Sequence, residues 1–332
     1  TFPAIPKFFP YLTLPAVFIL LVILLPGGWK ASLILLPFFI AGLPEIHTWL
    51  VDRFPKKASS QNLIAIPQDT TLEEVDVLFC AHIDSGRVIP QKSNIFQVIL
   101  NNYMVILEVY SWLVAIIGLL YLSIHSVAKL IQPVTIPVIV LSGFTLIWLD
   151  IWQQIGSQWA VSPGANDNAS GAALCSALAE EWMAVDDQQK VKVGFLFSGA
   201  EEAGLYGAKA FVRSNKTTVK QSIIINLDMI GKGSRIGAVI RSGRLKPLYT
   251  DSRLLNIVKN LIPDLVLVDY KYRGGDFIPF VQAGYRAISL EATHNGGLPP
   301  TYHSETDTPE TIELEMINRM SDLLKTIIAH LN

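Results

Sequence analysis

Residues 75–85 have the sequence VDVLFCAHIDS, in which an apolar run from Val75 to Cys80 leads directly to His82 and Asp84. A short apolar run that ends at polar residues predicts a buried strand with a loop after it. Runs with the same pattern are Val191–Phe197, Ser222–Leu227 and Ala287–Leu290. Helical patterns separate or follow them at Ala172–Met183, Leu205–Arg213, Arg253–Leu261 and Glu310–Leu331. We therefore predict an α/β layered domain.

The ends of three predicted strands carry residues that can take part in chemistry. They are His82 and Asp84 after the first strand, Glu201 and Glu202 after the second, and Asp228 after the third. In an open α/β sheet, ligands gather at the carboxyl ends of the strands. We therefore expect these side chains to meet at one edge of the sheet, where they could hold a cation.

Two further segments add ligand-type residues. Residues 163–171, PGANDNASG, place Asp167 on a turn-prone stretch that opens the helix at Ala172. Residues 301–308, TYHSETDT, contribute His303 late in the chain. Two imidazoles and several carboxylates suit Zn²⁺ or a similar divalent ion.

Taken in order, these motifs resemble peptidase family M28, the co-catalytic di-zinc peptidases that include many aminopeptidases. The segments that carry the resemblance are His82–Asp84, Asp167–Gly171, Glu201–Gly207, Asn226–Met229 and Tyr302–His303 with Asp307–Thr308 behind it. The resemblance covers residues 62–84 and the chain from about residue 164 to the C-terminus. It implies a three-layer αβα domain with a mixed, mostly parallel sheet. It also implies a peptide substrate and two divalent metal ions, with Zn²⁺ as the expected metal.

The family pattern implies a role for each matched ligand. Asp167 would bridge the two metals. The remaining ligands would be His82 and Asp228 at one metal and Glu202 and His303 at the other. The resemblance thus implies a five-residue site that holds two ions through one shared carboxylate.

Two residues beside the implied ligands are candidates for catalytic roles. Glu201, next to Glu202, would take a proton from the attacking water and return it to the leaving amine. Asp84 lies two residues after His82, on the same side of an extended strand end. Its carboxylate would accept the second N–H of the imidazole.

The chain departs from the family pattern in two places. Residues 273–280, RGGDFIPF, are similar to the Ser-Asp-His-x-x-Phe region of the family, but Phe277 stands in place of the histidine. The role of Asp276 therefore stays open. The stretch between His82 and Asp167 is also much longer than the short soluble connection of the family.

The composition of the chain is unusual for a soluble protein. Of 332 residues only 16% are Asp, Glu, Lys or Arg, 51% are hydrophobic, and the mean hydropathy is +0.39. A soluble domain carries about 25% charged residues, so we expect part of the chain to lie in lipid. The net charge of -2 and the lack of a basic stripe argue against nucleic-acid binding. The two cysteines, Cys80 and Cys175, cannot form a disulfide framework.

The apolar excess lies in two parts of the chain. Each part holds two stretches long enough to cross a bilayer. They are the uncharged window between Lys7 and Lys30, Ala31–Val51 with Glu45 as its one charge, and the uncharged windows Val109–Ala128 and Leu130–Leu149. We therefore predict an N-terminal transmembrane hairpin at residues 8–51 and an inserted one at residues 95–155. A cleaved leader is the alternative for the first stretch, and a pair of buried core helices is the alternative for the inserted hairpin.

Four crossings leave the other residues on one side of the membrane. Residues 52–94 and 156–332 would form one discontinuous peptidase domain of a multi-pass integral membrane protein. More Lys and Arg residues lie near the spans on this side than on the other, which favours a cytoplasmic active site by the positive-inside rule. The roles of Glu108 and Asp150, at the borders of the inserted spans, and the oligomeric state stay open.

The leading functional prediction is a membrane-anchored, metal-dependent exopeptidase of the aminopeptidase type. One alternative is a glutaminyl-cyclase-like acyltransferase, which shares the fold but uses a single zinc ion. Another is a catalytically inactive binding or scaffold protein on the same fold. The presence of both ligand pairs and of Glu201 favours the peptidase, because the alternatives are expected to lack ligands or the base.

Overall fold

The computed structural model describes residues 2–4, 56–88, 160–183, 191–215, 222–243, 247–270, 274–294, 296–299 and 301–331. The chain divides into two compact units. The first comprises Thr1–Ser59 with Pro90–Trp159, and the second comprises Ser60–Ile89 with Ala160–Asn332. In the first unit, strand β1 (Phe2–Ala4) pairs antiparallel with strand β2 (Lys56–Ala58).

The four predicted membrane crossings lie outside the described residues, and so do Glu108 and Asp150. Within the described ranges, none of the helices combines the length and the apolar character that crossing a bilayer requires. The two hairpins and the division of the chain at residues 8–51, 52–94, 95–155 and 156–332 therefore stay predictions.

In the described residues, the second unit is built on an eight-stranded mixed sheet. Its strands are β3 (Leu63–Ala65), β4 (Val77–His82), β5 (Val193–Ser198), β6 (Ile223–Leu227), β7 (Arg235–Ser242), β8 (Leu248–Tyr249), β9 (Val266–Tyr270) and β10 (Arg286–Thr293). They lie in the order β3-β5-β4-β6-β10-β7-β8, and β9 also pairs with β7. The central strands β5, β4, β6 and β10 are parallel, whereas β3 and β7 flank them antiparallel.

Helices cover both faces of this sheet. They are α1 (Ser170–Met183), α2 (Tyr206–Ser214), α3 (Ser252–Leu261), α4 (Phe277–Gln282) and α5 (Leu314–Leu331). Helices α1, α3 and α5 pack on one face, and α2 and α4 pack on the other. Alternate residues of β4 enter the two layers, because Phe79 packs on the α1 side and Leu78 and Cys80 on the α2 side. Strands buried on both faces form continuous apolar runs, and the predicted mixed α/β fold is confirmed.

The sequence patterns do not indicate β7, β8, β9 or α4. Strand β7 begins at Arg235 and contains Arg241, and β9 is partly exposed, so neither forms an unbroken apolar run. The last helix begins at Leu314 rather than Glu310. The reason is that Pro309–Thr311 form a separate 3₁₀ turn before it.

Candidate metal centre

Three neighbouring parallel strands end at the same edge of the sheet. His82 is the last residue of β4 and lies opposite Ser198, the last residue of β5. Glu201 and Glu202 follow β5 within a few residues, and Asp228 comes directly after β6. These strand ends bring together the side chains that the sequence analysis places at one edge.

Asp167 lies on a loop that precedes α1. The loop begins at Gly164, whose φ of 71° lies in the left-handed region that glycine adopts readily. Asn168, which follows Asp167 through a cis peptide bond, anchors the loop to the end of β6. Its Nδ2 donates to the carbonyl of Leu227 at 2.8 Å, and its Oδ1 accepts the N–H of Met229 at 3.2 Å. The loop therefore holds Asp167 beside the end of β6.

Two histidines approach different oxygens of Asp167. His82 Nε2 lies 3.2 Å from Asp167 Oδ1 and 3.6 Å from Asp228 Oδ1. His303 Nε2 lies 3.4 Å from Asp167 Oδ2 and 3.0 Å from Glu202 Oε1. The five side chains thus form two groups that share the Asp167 carboxylate.

The carboxylates of the site raise the pKa of both imidazoles. Burial lowers the pKa of His82, but Asp167 and Asp228 raise it more, and the pKa lies well above its ordinary value. Burial also lowers the pKa of His303, while Asp167 and Glu202 raise it to about 9. Burial raises the pKa of Asp167, but the two histidines bring it down to about 2. The site therefore stabilises positive charge at two places around one carboxylate.

The donor set suits a divalent metal. His82, Asp167 and Glu202 each offer one ligand atom, and these atoms lie within 4.8 Å of one another. Asp228 Oδ1 is buried and has no hydrogen-bond partner in the part of the chain that the structure describes. A buried carboxylate oxygen without a partner is costly, and a coordinated ion would satisfy it. Since Zn²⁺ binds imidazole and carboxylate ligands, the residues present fit this metal.

Glu201 directly precedes Glu202 and interacts electrostatically with His82 and Asp228. Its side chain is partly buried. Burial raises the pKa of Glu201 well above its usual range, His82 opposes this rise, and the charges of Asp276 and Asp228 add to it. A buried carboxyl group whose pKa is shifted by burial and by neighbouring charges is a candidate for general acid–base catalysis.

Asp84 supports the two glutamates of the loop after β5. Its Oδ1 accepts the N–H of Glu201 and its Oδ2 accepts the N–H of Glu202, both at 3.0 Å. His82 Nδ1 lies 3.0 Å from the backbone carbonyl oxygen of Asp84 but 3.7 Å from Asp84 Oδ1. The closest partner of the imidazole is therefore the carbonyl rather than the expected carboxylate. The reason is that two backbone amides occupy the carboxylate.

Asp307 is a supporting residue to which the sequence analysis assigns no role. It is fully buried. Its Oδ1 accepts the N–H of Asn166 at 2.9 Å, and its Oδ2 accepts the N–H of Asp167 at 3.1 Å. Burial raises the pKa of Asp307, and these two hydrogen bonds oppose the rise. Asp307 lies in the same sequence motif as His303, which singles it out. The motif does not show which backbone N–H groups its carboxylate accepts.

Asp276 lies in the layer on the α2 and α4 side of the sheet. It is buried and accepts a hydrogen bond from the hydroxyl of Ser198. Its Oδ1 has no partner among the described residues, and burial raises its pKa to about 6. Phe277, where the resembled family has histidine, packs into the apolar core of this layer. Asp276 therefore stabilises the end of β5 through its hydrogen bond with Ser198.

The profile of peptidase family M28 matches residues 149–328, which is more than half of the chain. Aminopeptidase YwaD of Bacillus subtilis is 29% identical over 177 residues, which cover 50% of this chain and 37% of that protein. Endoplasmic reticulum metallopeptidase 1 of Mus musculus is 26% identical over 178 residues, which cover 52% of this chain and 19% of that protein. The match thus spans well under half of the length of either relative.

Solved structures of aminopeptidases are also similar to this chain. A zinc aminopeptidase from Bacillus subtilis aligns with a TM-score of 0.47 and 19% identity, over 81% of this chain and 49% of that chain. The LapA aminopeptidase of Legionella pneumophila aligns with a TM-score of 0.43 and 22% identity, over 49% of this chain and 45% of that chain.

The family match places residues 149–328 of this chain in a class of peptidases. It belongs to peptidase family M28, as the motif order predicts. The matched region begins at residue 149, after His82 and Asp84. The structure brings these two residues to the same sheet edge as the matched motifs, so the site draws on both sides of residues 89–159.

Proposed function

We propose that the chain is an exopeptidase of the aminopeptidase type, which hydrolyses N-terminal peptide bonds with two Zn²⁺ ions. The observation that carries this proposal is the placement of His82 and His303 at different oxygens of Asp167. A carboxylate shared by two ligand groups suits a bridge between two ions. A site for one ion would need only one of the groups.

Each proposed ion has its own pair of ligands besides Asp167. The first position consists of His82 and Asp228, and the second consists of Glu202 and His303. The buried Oδ1 of Asp228, which has no hydrogen-bond partner among the described residues, supports the first position. The 3.0 Å contact between His303 Nε2 and Glu202 Oε1 supports the second.

When bound, two such ions lower the pKa of an attacking water and polarise the scissile carbonyl. Glu201 accepts the proton of that water on its carboxylate and returns it to the leaving amine. Asp84 keeps this base and the ligand Glu202 in a fixed relation by accepting the N–H groups of both residues.

Peptides with a free N-terminus are the proposed substrates. The similar protein of Bacillus subtilis is named an aminopeptidase, and the similar mouse protein is named a metallopeptidase. The close approach of both ligand pairs favours this function over a single-zinc acyltransferase. The presence of Glu201 beside the ligands favours it over an inactive scaffold.

We also propose that the chain is a multi-pass integral membrane protein with hairpins at residues 8–51 and 95–155 in the lipid bilayer. The support is the set of long apolar windows in the sequence, in which Glu45 is the only charged residue. The protein should resist alkaline carbonate extraction, and reporters near Lys57 and at the C-terminus should lie on the same side, which the charge distribution favours as cytoplasmic. Reporters on opposite sides would contradict the four-crossing topology.

Metal analysis combined with peptide hydrolysis tests the enzymatic proposal. The purified chain should contain two divalent ions per molecule by elemental analysis. It should release the first residue of free peptides and leave matched N-acetylated peptides intact. Saturation at one ion, or equal cleavage of blocked and free peptides, would overturn the proposal.

A further inference from the structure

Gly86 lies directly against both proposed ligands of the second ion. A Cβ atom at this residue would overlap His303 Nε2 and would lie 2.6 Å from His303 Cε1 and 2.7 Å from Glu202 Oε1. These three atoms are the nearest heavy atoms to that point. Non-bonded atoms pack favourably at about 3.5 to 4.0 Å. Only glycine therefore leaves room for both side chains where they stand.

The backbone conformation does not explain this glycine. Gly164 and Gly204 have φ values of 71° and 122°, in the region that side chains disfavour, but Gly86 does not have such a φ. An alanine at residue 86 would therefore adopt the observed backbone without strain. What glycine provides here is space next to the ligands.

Gly86 belongs to a short antiparallel ribbon of residues 86–88 and 160–162. The N–H of Ser162 donates to the carbonyl of Gly86 at 2.9 Å. The two strands of this ribbon immediately flank residues 89–159 in the sequence. The residues that flank this stretch are thus paired with each other beside the proposed second metal position.

Side-chain hydrogen bonds tie the ribbon to the loop that carries His303. The hydroxyl of Ser162, a buried residue, donates to the carbonyl of Ser304 at 3.0 Å. The hydroxyl of Ser85 donates to the carbonyl of Ser162 at 2.7 Å. Since Ser304 directly follows His303, the ribbon and the ligand are held in one hydrogen-bonded frame.

We propose that Gly86 is a positioning residue for the second metal position, where the ribbon forms a wall that sets the places of His303 and Glu202. This inference rests on the proposed two-metal function. It predicts a selective effect, because the nearest atoms to a Cβ at residue 86 belong to the second ligand pair and none belongs to His82 or Asp228.

The variant Gly86→Ala tests the inference through metal content. It should bind one divalent ion where the unaltered chain binds two, because the methyl group displaces the second ligand pair and leaves the first in place. The matched control is Gly194→Ala in β5, where the added Cβ would meet only apolar side-chain atoms, the nearest 3.2 Å away on Val75. This control should retain two ions and the unaltered rate of peptide hydrolysis.

A second variant decides the outcome if Gly86→Ala does not fold. Ser162→Ala removes the hydroxyl that holds the carbonyl of Ser304. It should weaken binding of the second Zn²⁺ ion by about 2- to 10-fold, the range expected for one hydrogen bond, and leave the first unchanged. Equal affinities in Ser162→Ala and the unaltered chain would overturn the inference.

The experiment separates failure of the inference from failure of the proposed function. If the unaltered chain binds one ion, both are wrong. If the unaltered chain and Gly86→Ala both bind two ions, only the inference is wrong. Loss of both ions from a folded Gly86→Ala chain would also overturn it, because the effect would not be selective.

Discussion

The two proposed metal positions are built in different ways. The first uses strand ends, because His82 closes β4 and Asp228 follows β6, and the side chain of His82 is only 3% exposed. The second uses loops, because Glu202 and His303 lie outside the strands and helices, and the His303 side chain is 15% exposed. Ligands on a packed sheet are placed more accurately than ligands on loops. We therefore expect the second position to be the more easily lost.

Loop ligands need support that strand ligands receive from the sheet. Asp84 holds the backbone of Glu202, and Ser162 holds the carbonyl after His303. Asp307 links the two regions, since it lies in the loop of His303 and holds the backbone of Asp167. In the proposed site, hydrogen bonds from neighbouring residues therefore hold the loops that carry Glu202 and His303.

The largest expected effect comes from Asp167→Ala, which removes the ligand that both positions share. Both ions should be lost, and peptide hydrolysis should fall to background. Asp228→Ala should weaken the first position alone. Elemental analysis of the folded variants measures this, and a two-ion content in Asp167→Ala would show that the carboxylate is not a bridge.

The next largest effect is expected from Glu201→Gln, and comparison with Glu202→Gln separates the role of the base from that of the neighbouring ligand. Glu201→Gln removes a basic carboxylate but keeps its size, so kcat should fall by about 10² to 10⁴-fold with KM changed much less and two ions retained. Glu202→Gln should instead weaken the second position, and added Zn²⁺ should partly restore activity. Near-normal turnover in Glu201→Gln, or its rescue by Zn²⁺, would mean that another group is the base.

A smaller effect is expected from Asp307→Asn. An amide offers one acceptor oxygen, so one of the N–H groups of Asn166 and Asp167 loses its partner. Supporting residues of this kind typically change metal affinity by about 10- to 100-fold, and here both positions should weaken because Asp167 serves both. Competition titration with a chelator measures the two affinities.

The control for Asp307→Asn is Thr250→Val, which removes a buried hydrogen bond to the carbonyl of Val239 on β7. It should lower the free energy of unfolding without changing either metal affinity. If Asp307→Asn behaved in the same way as this control, Asp307 would be a general stabilising residue only.

The last expected effect, which needs no substitution, is a pH dependence of metal binding at the second position. Asp167 and Glu202 raise the pKa of His303 to about 9 although burial opposes them, so a cation must displace a proton below that pH. The apparent affinity should rise by up to about tenfold per pH unit and level off above about pH 9. Titration calorimetry in buffers of different ionisation enthalpy should detect proton release. An affinity that is flat between pH 6 and pH 9 would contradict the assignment of His303 as a ligand.

The sequence predicts the central sheet well and singles out the side chains that the structure brings together at its edge, because both depend on local patterns. Apolar runs mark β4, β5 and β6, and the residues after them mark the edge where the site lies. The partner of the Asp84 carboxylate could not be predicted, because it depends on how the loop after β5 folds back towards β4.

The contacts of Asp307 and Gly86 could not be predicted from the sequence either. Asp307 contacts backbone amides that lie about 140 positions earlier in the chain, a distance that no local pattern spans. Gly86 matters only through its distance to His303 and Glu202, and these come together only in the folded chain. Residues with ligand-type atoms can thus be recognised in the sequence. Residues that position them can be recognised only from tertiary contacts.

The most direct test of the two-position account is anomalous X-ray diffraction at the zinc edge from crystals of the intact chain loaded with Zn²⁺. Two peaks should appear on the two sides of the Asp167 carboxylate, one beside His82 and Asp228 and the other beside Glu202 and His303. A single peak at saturating Zn²⁺, or two peaks of which one is not bound by Asp167, would contradict the account.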